Sequence, residues 1–212
     1  MIPPHSQDPC PQRSPSLRSS GNLRICPSNH SLRKLALALL TAATLNLPAL
    51  AQSPKPSQSD VQAVYLYNFA KFVRWPAVTP PSPIDICIAG QKIYVDTLAK
   101  TVAGEQIDTR PLTVRAVERP EDEAGCSILF IGVSVKDRLD ALLAATAGKP
   151  IVTVSDIPGF LDRGGMIQFL LIDNRVRFSV NLDPVNRSQI TLSSELLKVA
   201  VKVNGKPSGG TR

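Results

Sequence analysis

Apolar residues at Val61, Val64, Tyr65, Phe69, Phe72 and Val73 recur at three- and four-residue spacing, which predicts a helix. Ser59 opens it, and Gln62 completes a capping-box pattern. Pro76 disfavours helical geometry at Trp75 and ends the helix, while Pro80, Pro81 and Pro83 stiffen the connection that follows. From there the pattern alternates. Residues 84–89 read as a short strand containing Cys87, followed by Gly90, a helical stretch to about Ala103 and a strand at 112–117. A polar turn at 118–125 leads into the apolar strand 126–131. Ser134 is a good N-cap with Asp137 in the first turn, and Val135, Leu139, Leu142 and Leu143 form the buried stripe of a helix that Gly148 and Pro150 terminate. Residues 151–154 make another strand. Strands and helices alternating at these lengths predict an α/β fold, with a mostly parallel Rossmann- or flavodoxin-like sheet between two helical layers.

The last third changes character. Residues 166–172 and 175–180 flank Asp173-Asn174, a pair that tolerates positive φ, and predict an antiparallel C-terminal hairpin. In its second arm Val176, Phe178 and Val180 share one face and Arg175, Arg177 and Ser179 the other, the pattern of a sheet buried on one side. Ser193 or Ser194 caps a final helix carrying Leu196, Leu197, Ala200 and Val201, and Asn204-Gly205 ends it.

The beginning of the chain reads differently. Arg33 and Lys34 precede an apolar run at 35–47, which ends in Ala49-Leu50-Ala51 before Gln52: the order of a cleavable secretory signal peptide with its core at 32–51. The run is too short for a membrane span, which needs about 20 apolar residues, so no span is expected after cleavage. The division expected is a leader at 1–51, a flexible Pro-, Ser- and Gln-rich lead-in at 52–58, one domain at 59–205 and a disordered tail at 206–212.

Removing the leader changes the charge. The whole chain carries 24 Lys and Arg against 17 Asp and Glu, a net +7. The leader holds Arg13, Arg18, Arg24, Arg33 and Lys34 against Asp8, leaving 19 against 16 and a net +3. That near balance, with no basic run interleaved with aromatics, argues against nucleic acid as a partner. Both histidines, His5 and His30, also go with the leader. Without histidine, Ser-His-Asp and Cys-His machinery and histidine-based metal sites cannot be assembled, so neither a catalytic residue nor a metal or other cofactor is expected. Asp156 and Asp162 could in principle form a carboxylate pair, but a turn and a surface aspartate account for them more simply. Gly90 alone lacks the G-x-G-x-x-G pattern of a dinucleotide site.

Cys87 and Cys126 are the cysteines left after cleavage, each in an apolar strand-like run. Strands so placed in an alternating sheet are commonly neighbours, and export permits a disulfide; two reduced thiols that merely pack are the alternative. Arg74 and Trp75, beyond the stripe of the first helix, could form an exposed recognition edge, since both residue types favour interface centres; core packing is the plainer account of the aromatics. The segment containing Asp156, Phe160 and Arg163, with its glycines, is a loop at the carboxyl end of a strand, where open α/β sheets place binding sites, although turn chemistry alone explains the glycines. Arg163, Arg175 and Arg177 are candidate anion contacts near it, or simply a basic hairpin face.

Several segments together resemble the YfiR family of periplasmic proteins. They are the run from Ala63 through Tyr65, Asn68 and Phe72 to Val73 with Trp75-Pro76, the Cys87 strand, Gly125-Cys126, the run from Val154 through Asp156 to Phe160, Gly164-Gly165-Met166-Ile167, and Asn174 to Phe178 with Asn181-Leu182. The resemblance covers nearly the whole expected mature chain in order. It implies a periplasmic α/β domain without known catalytic activity. The characterised regulator of this family restrains an inner-membrane diguanylate cyclase by binding its periplasmic region, and its disulfide state affects its stability. The resemblance also implies a Cys87–Cys126 pairing. A second cysteine pair of that regulator has no counterpart here, so a redox switch at that bond is not carried over. The function expected is therefore a non-enzymatic regulator that binds the periplasmic domain of an inner-membrane signalling protein such as a diguanylate cyclase and represses it. A periplasmic small-ligand sensor module is the alternative, and a homodimer is left open.

Overall fold

The computed structural model describes residues 55–77 and 82–206. The expected leader, part of the lead-in and all of the expected tail beyond Lys206 lie outside the described residues.

The first described helix, α1 (Gln58–Phe72), is capped two residues earlier than the sequence pattern predicts, by Ser57 and not Ser59. Ser57, in extended conformation, accepts a hydrogen bond from the Asp60 N–H at 3.2 Å, and the Asp60 carboxylate accepts the Ser57 N–H at 2.8 Å. The Ser57 hydroxyl, donating to that carboxylate at 2.7 Å, and then the Ser57 N–H hold the Asp60 carboxyl below its ordinary pKa. Gln62, expected to fold back on Ser59, instead points inward and is 1% exposed. The inward stripe is Gln62, Ala63, Leu66, Phe69 and Ala70, whereas Val64 and Phe72 are exposed, so the helix is rotated from the expected face. An aromatic cluster sets this rotation: the Phe69 ring centroid lies 5.0 Å from Phe178 and 5.8 Å from Phe169, and Tyr65 leans on the same two rings. Helix α1 ends at Phe72 because Val73–Arg74 (β1) pairs antiparallel with Thr191–Leu192, and the Ser193 N–H reaches the Phe72 carbonyl at 2.9 Å.

The remaining elements are β2 (Ile84–Ala89), α2 (Lys92–Thr101), β3 (Gln106–Ile107), β4 (Arg110–Ala116), β5 (Ile128–Ile131), α3 (Leu139–Thr146), β6 (Val152–Ser155), β7 (Ile167–Ile172), β8 (Arg175–Asn181), α4 (Leu182–Arg187), β9 (Thr191–Leu192), α5 (Ser194–Val199) and β10 (Val203–Asn204). Eight strands form one sheet in the order β10-β8-β7-β6-β5-β2-β4-β3. Strands β4, β2, β5, β6 and β7 run parallel, as expected for an α/β fold. Strands β7 and β8 form the expected antiparallel hairpin, with Asp173 and Asn174 at φ +49° and +57°.

The central strands are buried on both faces, so they read as unbroken apolar runs. Ile84, Ile86, Ile88, Ile128, Phe130, Val152 and Val154 face a core shared with α1, α2 and α4. Cys87, Ala89, Leu129 and Ile131 face a second core with Leu139 and Leu142 of α3 and with Ile157, Phe160 and Leu161.

Two expected helices are corrected. Ser134 does not cap α3: Val133–Arg138 is a 3-10 segment with Val135 out of helical geometry, and α3 starts at Leu139. The Val133 N–H, which a helix start would leave open, is taken by the Asp156 carboxylate at 2.8 Å. The last helix does not reach Val201. Its cap is Ser193, it ends at Val199, and residues beyond turn extended because the sheet edge takes their backbone: Val201 N–H bonds Phe178 O at 2.8 Å and Val180 N–H bonds Lys202 O at 2.9 Å.

Candidate functional site

The sheet has two ends, and the candidate residues divide between them. Toward the amino ends of β5 and β6, Cys87 and Cys126 form a disulfide, with Cα atoms 5.8 Å apart and a separation of 39 positions in sequence. Arg115 stands opposite Cys87 on β4. Its guanidinium donates to Asp122 O at 2.7 Å, to Ala124 O, and to the Cys126 sulfur at 3.2 Å, clamping the loop that carries Cys126. In the same loop the buried Glu123 pairs with Lys149. The half-buried Trp75 donates its indole N–H to Ser127 O at 3.3 Å, and the Arg110 guanidinium lies 5.9 Å from its ring. Arg74 is exposed and shares a recess of about 150 Å³ with Trp75, Asp108 and Arg110.

At the carboxyl ends the elements meet differently. Strand β2 is followed in sequence by β4 on one side of it, while β5 pairs on its other side. Helix α2 packs into the first core and α3 into the second, so the chain diverges between the ends of β2 and β5. This is a topological switch point, where open α/β sheets form a crevice. Gly90 ends β2 and Gly132 ends β5; the Gly132 N–H bonds Ala89 O at 2.8 Å. Asp156, just past β6, is half-buried here. Burial raises its carboxyl above the ordinary value, opposed by hydrogen bonds from Val133 and its own backbone and by the Gln62 amide. The Tyr94 hydroxyl of α2 is raised as well, by burial and then by the charge of Asp156.

The other predicted site residues do not join this group. Phe160 is fully buried in the second core, and a Cβ on Gly165 would lie 2.1 Å from its ring, so Phe160 packs rather than presents a contact. Arg163 is tied to Asp140, Nε to Oδ1 at 3.0 Å, beside a cleft of about 320 Å³ that Thr153, Met166 and Arg187 also line. Arg175 and Arg177 lie toward the turn of the hairpin, in a separate recess with Ile172, Asp173 and Val201. The three arginines therefore form no single anion cluster. Sequence reasoning missed Gln62, Tyr94, Gly132 and Arg115. An amide on an apolar helix stripe and an arginine inside a strand were the available signals.

Among the described residues, no group of three or more His, Cys, Asp or Glu is placed to hold a metal ion, and no helix is long and apolar enough to cross a membrane. The fold and its two ends define a disulfide-bonded, doubly wound α/β domain. The model of the YfiR/HmsC-like family matches residues 59–201, and the chain belongs to that family. In fold the chain is similar to a conserved domain protein from Vibrio cholerae O1 biovar El Tor, at 8% identity and a TM-score of 0.50, covering 70% of this chain and 60% of that one. It also matches the ABC domain in complex with L-Trp from Streptococcus pneumonia, at 9% identity and a TM-score of 0.44, covering 68% and 60%. The chain thus spans 60% of the length of each of these two solved chains.

Proposed function

We propose that this protein is a non-enzymatic periplasmic regulator that binds the periplasmic domain of an inner-membrane signalling enzyme, a diguanylate cyclase, and represses it. The observation that carries this reading is the family match across residues 59–201. Two physical features agree with it. The disulfide suits an oxidising compartment. Exposed Arg74 beside Trp75, and exposed Arg175 and Arg177 on the hairpin, offer aromatic and arginine contacts of the kind that dominate protein interfaces. In the test, the gene is deleted and cellular cyclic di-GMP is measured, while the tagged protein is captured from detergent-solubilised membranes. A rise in cyclic di-GMP, with a cyclase among the captured proteins, is expected. Unchanged nucleotide levels and no captured cyclase would sink this reading.

A further inference from the structure

The outer half of the β7–β8 hairpin is left bare on both faces. Ile172 stands opposite Arg175 and Leu170 opposite Arg177 on one face, and Leu171 opposite Val176 on the other. Among the described residues, β10 pairs with β8 only at Val180 and Asn181, so no strand covers the outer side of β8 from Arg175 to Arg177. Leu171 is 58% exposed, Ile172 39% and Val201 53%. Single exposed aliphatics are ordinary, but these line two open recesses that meet at Arg175. One, of about 440 Å³, lies between Ile172, Arg175, Arg177 and Val201, with Asp173 at its rim. The other, of about 430 Å³, lies between Leu171, Val176 and the start of α1, with Lys55 on its wall. Three cations thus line the pair of recesses against one acid. Neither arginine has an ion-pair partner among the described residues, Asp173 included.

We propose that this outer half of the hairpin receives the membrane partner, and that the partner presents there an acidic segment bearing aliphatic side chains. The inference rests on the regulator reading and adds to it the surface and the partner's chemistry. Arg175 and Arg177 project from one face two residues apart, about 7 Å along the strand, which matches carboxylates at alternate positions of an extended segment. Aliphatic side chains of the same segment enter the recesses against Ile172, Val201 and Leu171, where both sides lose water. Two other occupants fit worse. A second copy of this chain would bring the same cations against these. An anionic bilayer is flat, leaves both recesses unfilled, and meets like charge at Asp173 in the turn itself.

In the deletion strain the tagged protein is expressed with the photo-crosslinking residue p-benzoylphenylalanine at Leu171, at Val201 or, as a control exposed on α2, at Ile93. After irradiation the adducts are purified and the joined peptide is identified by mass spectrometry. Leu171 and Val201 are expected to join the periplasmic region of a cyclase through a peptide with an excess of Asp and Glu, and Ile93 is not. Arg175→Glu with Arg177→Glu lowers the adduct yield at least ~10-fold with an unchanged thermal melt, whereas Arg175→Lys with Arg177→Lys keeps most of it. A captured cyclase without adducts at Leu171 and Val201, or a joined peptide without acidic excess, overturns the surface and leaves the regulator reading standing. Adducts only to lipid or to a second copy of this chain overturn it as well. An acidic peptide from a membrane protein that is not a cyclase supports the surface and overturns the cyclase reading.

Discussion

The two ends of the central strands are built to different specifications. At the amino end, the loop before β5 is held by a disulfide, by the Arg115 guanidinium, by the Trp75 indole and by a buried Glu123 paired with Lys149. At the carboxyl end, β2 and β5 stop at glycines, and a half-buried carboxylate stands beside the inward-facing Gln62 amide. Stability within one cooperative domain is shared, so bracing at one end lets the other tolerate groups that do not help folding. The contrast therefore separates residues that hold the fold from residues that its fold can spare for recognition.

The largest test of that contrast is the covalent brace. Chain-entropy treatment of a disulfide spanning 39 residues gives about 4 kcal/mol, so replacing Cys87 and Cys126 together with alanine should lower unfolding free energy in urea by that order. A loss below about 1 kcal/mol would show that the amino end does not depend on the bond. Arg115→Met comes next. It strips the carbonyls of Asp122 and Ala124 of a charged donor, and a loss of about 2 kcal/mol is expected, with faster amide exchange confined to the 118–126 loop. Uniform exchange throughout the domain would mean that Arg115 acts as general packing and not as a local clamp.

The smallest effect lies at the other end and has the opposite sign. Burial holds the Asp156 carboxyl above its ordinary value, so as pH rises the unfolded chain loses its proton first. Between the ordinary carboxylate value and the raised one, native stability falls with pH. Asn at this position removes that loss while still accepting from Val133. Thermal melts should therefore show Asp156→Asn more stable than the parent at neutral pH and equal to it near about pH 3, below both values. A difference that does not vary with pH would place the effect in packing instead of charge.

Much of this architecture is readable from the chain because its determinants are local. Residues 84–89 form a strand as expected, since a strand buried on both faces is one apolar run bounded by Pro83 and Gly90. The Asp173-Asn174 turn is legible because these residues accept the positive φ it requires. Other features depend on distant partners. Both faces of α1 carry apolar residues at helical spacing, and only Phe169 and Phe178 decide that Gln62 turns inward and Val64 outward. Strands β1, β9 and β10 are two residues each and exist by pairing, which no local pattern encodes. The loop after β6 could be marked as a site by position alone, but Phe160 points into the core while Asp156 faces Gln62, a difference set by three-dimensional packing.

Tyr65 and Phe69, near the start of the domain, rest on Phe169 and Phe178, near its end, and the Phe72 carbonyl is closed by Ser193. The first of the described helices thus completes its seat last. Closing so long a loop is entropically slow, and a polypeptide that emerges from its amino end can pack α1 on α2 but leaves the Tyr65 and Phe69 face uncovered until the hairpin arrives. During that interval Tyr65 and Phe69 stand open to other chains. The period of greatest risk for this protein lies before its last strands appear, and its yield should depend on how quickly they follow.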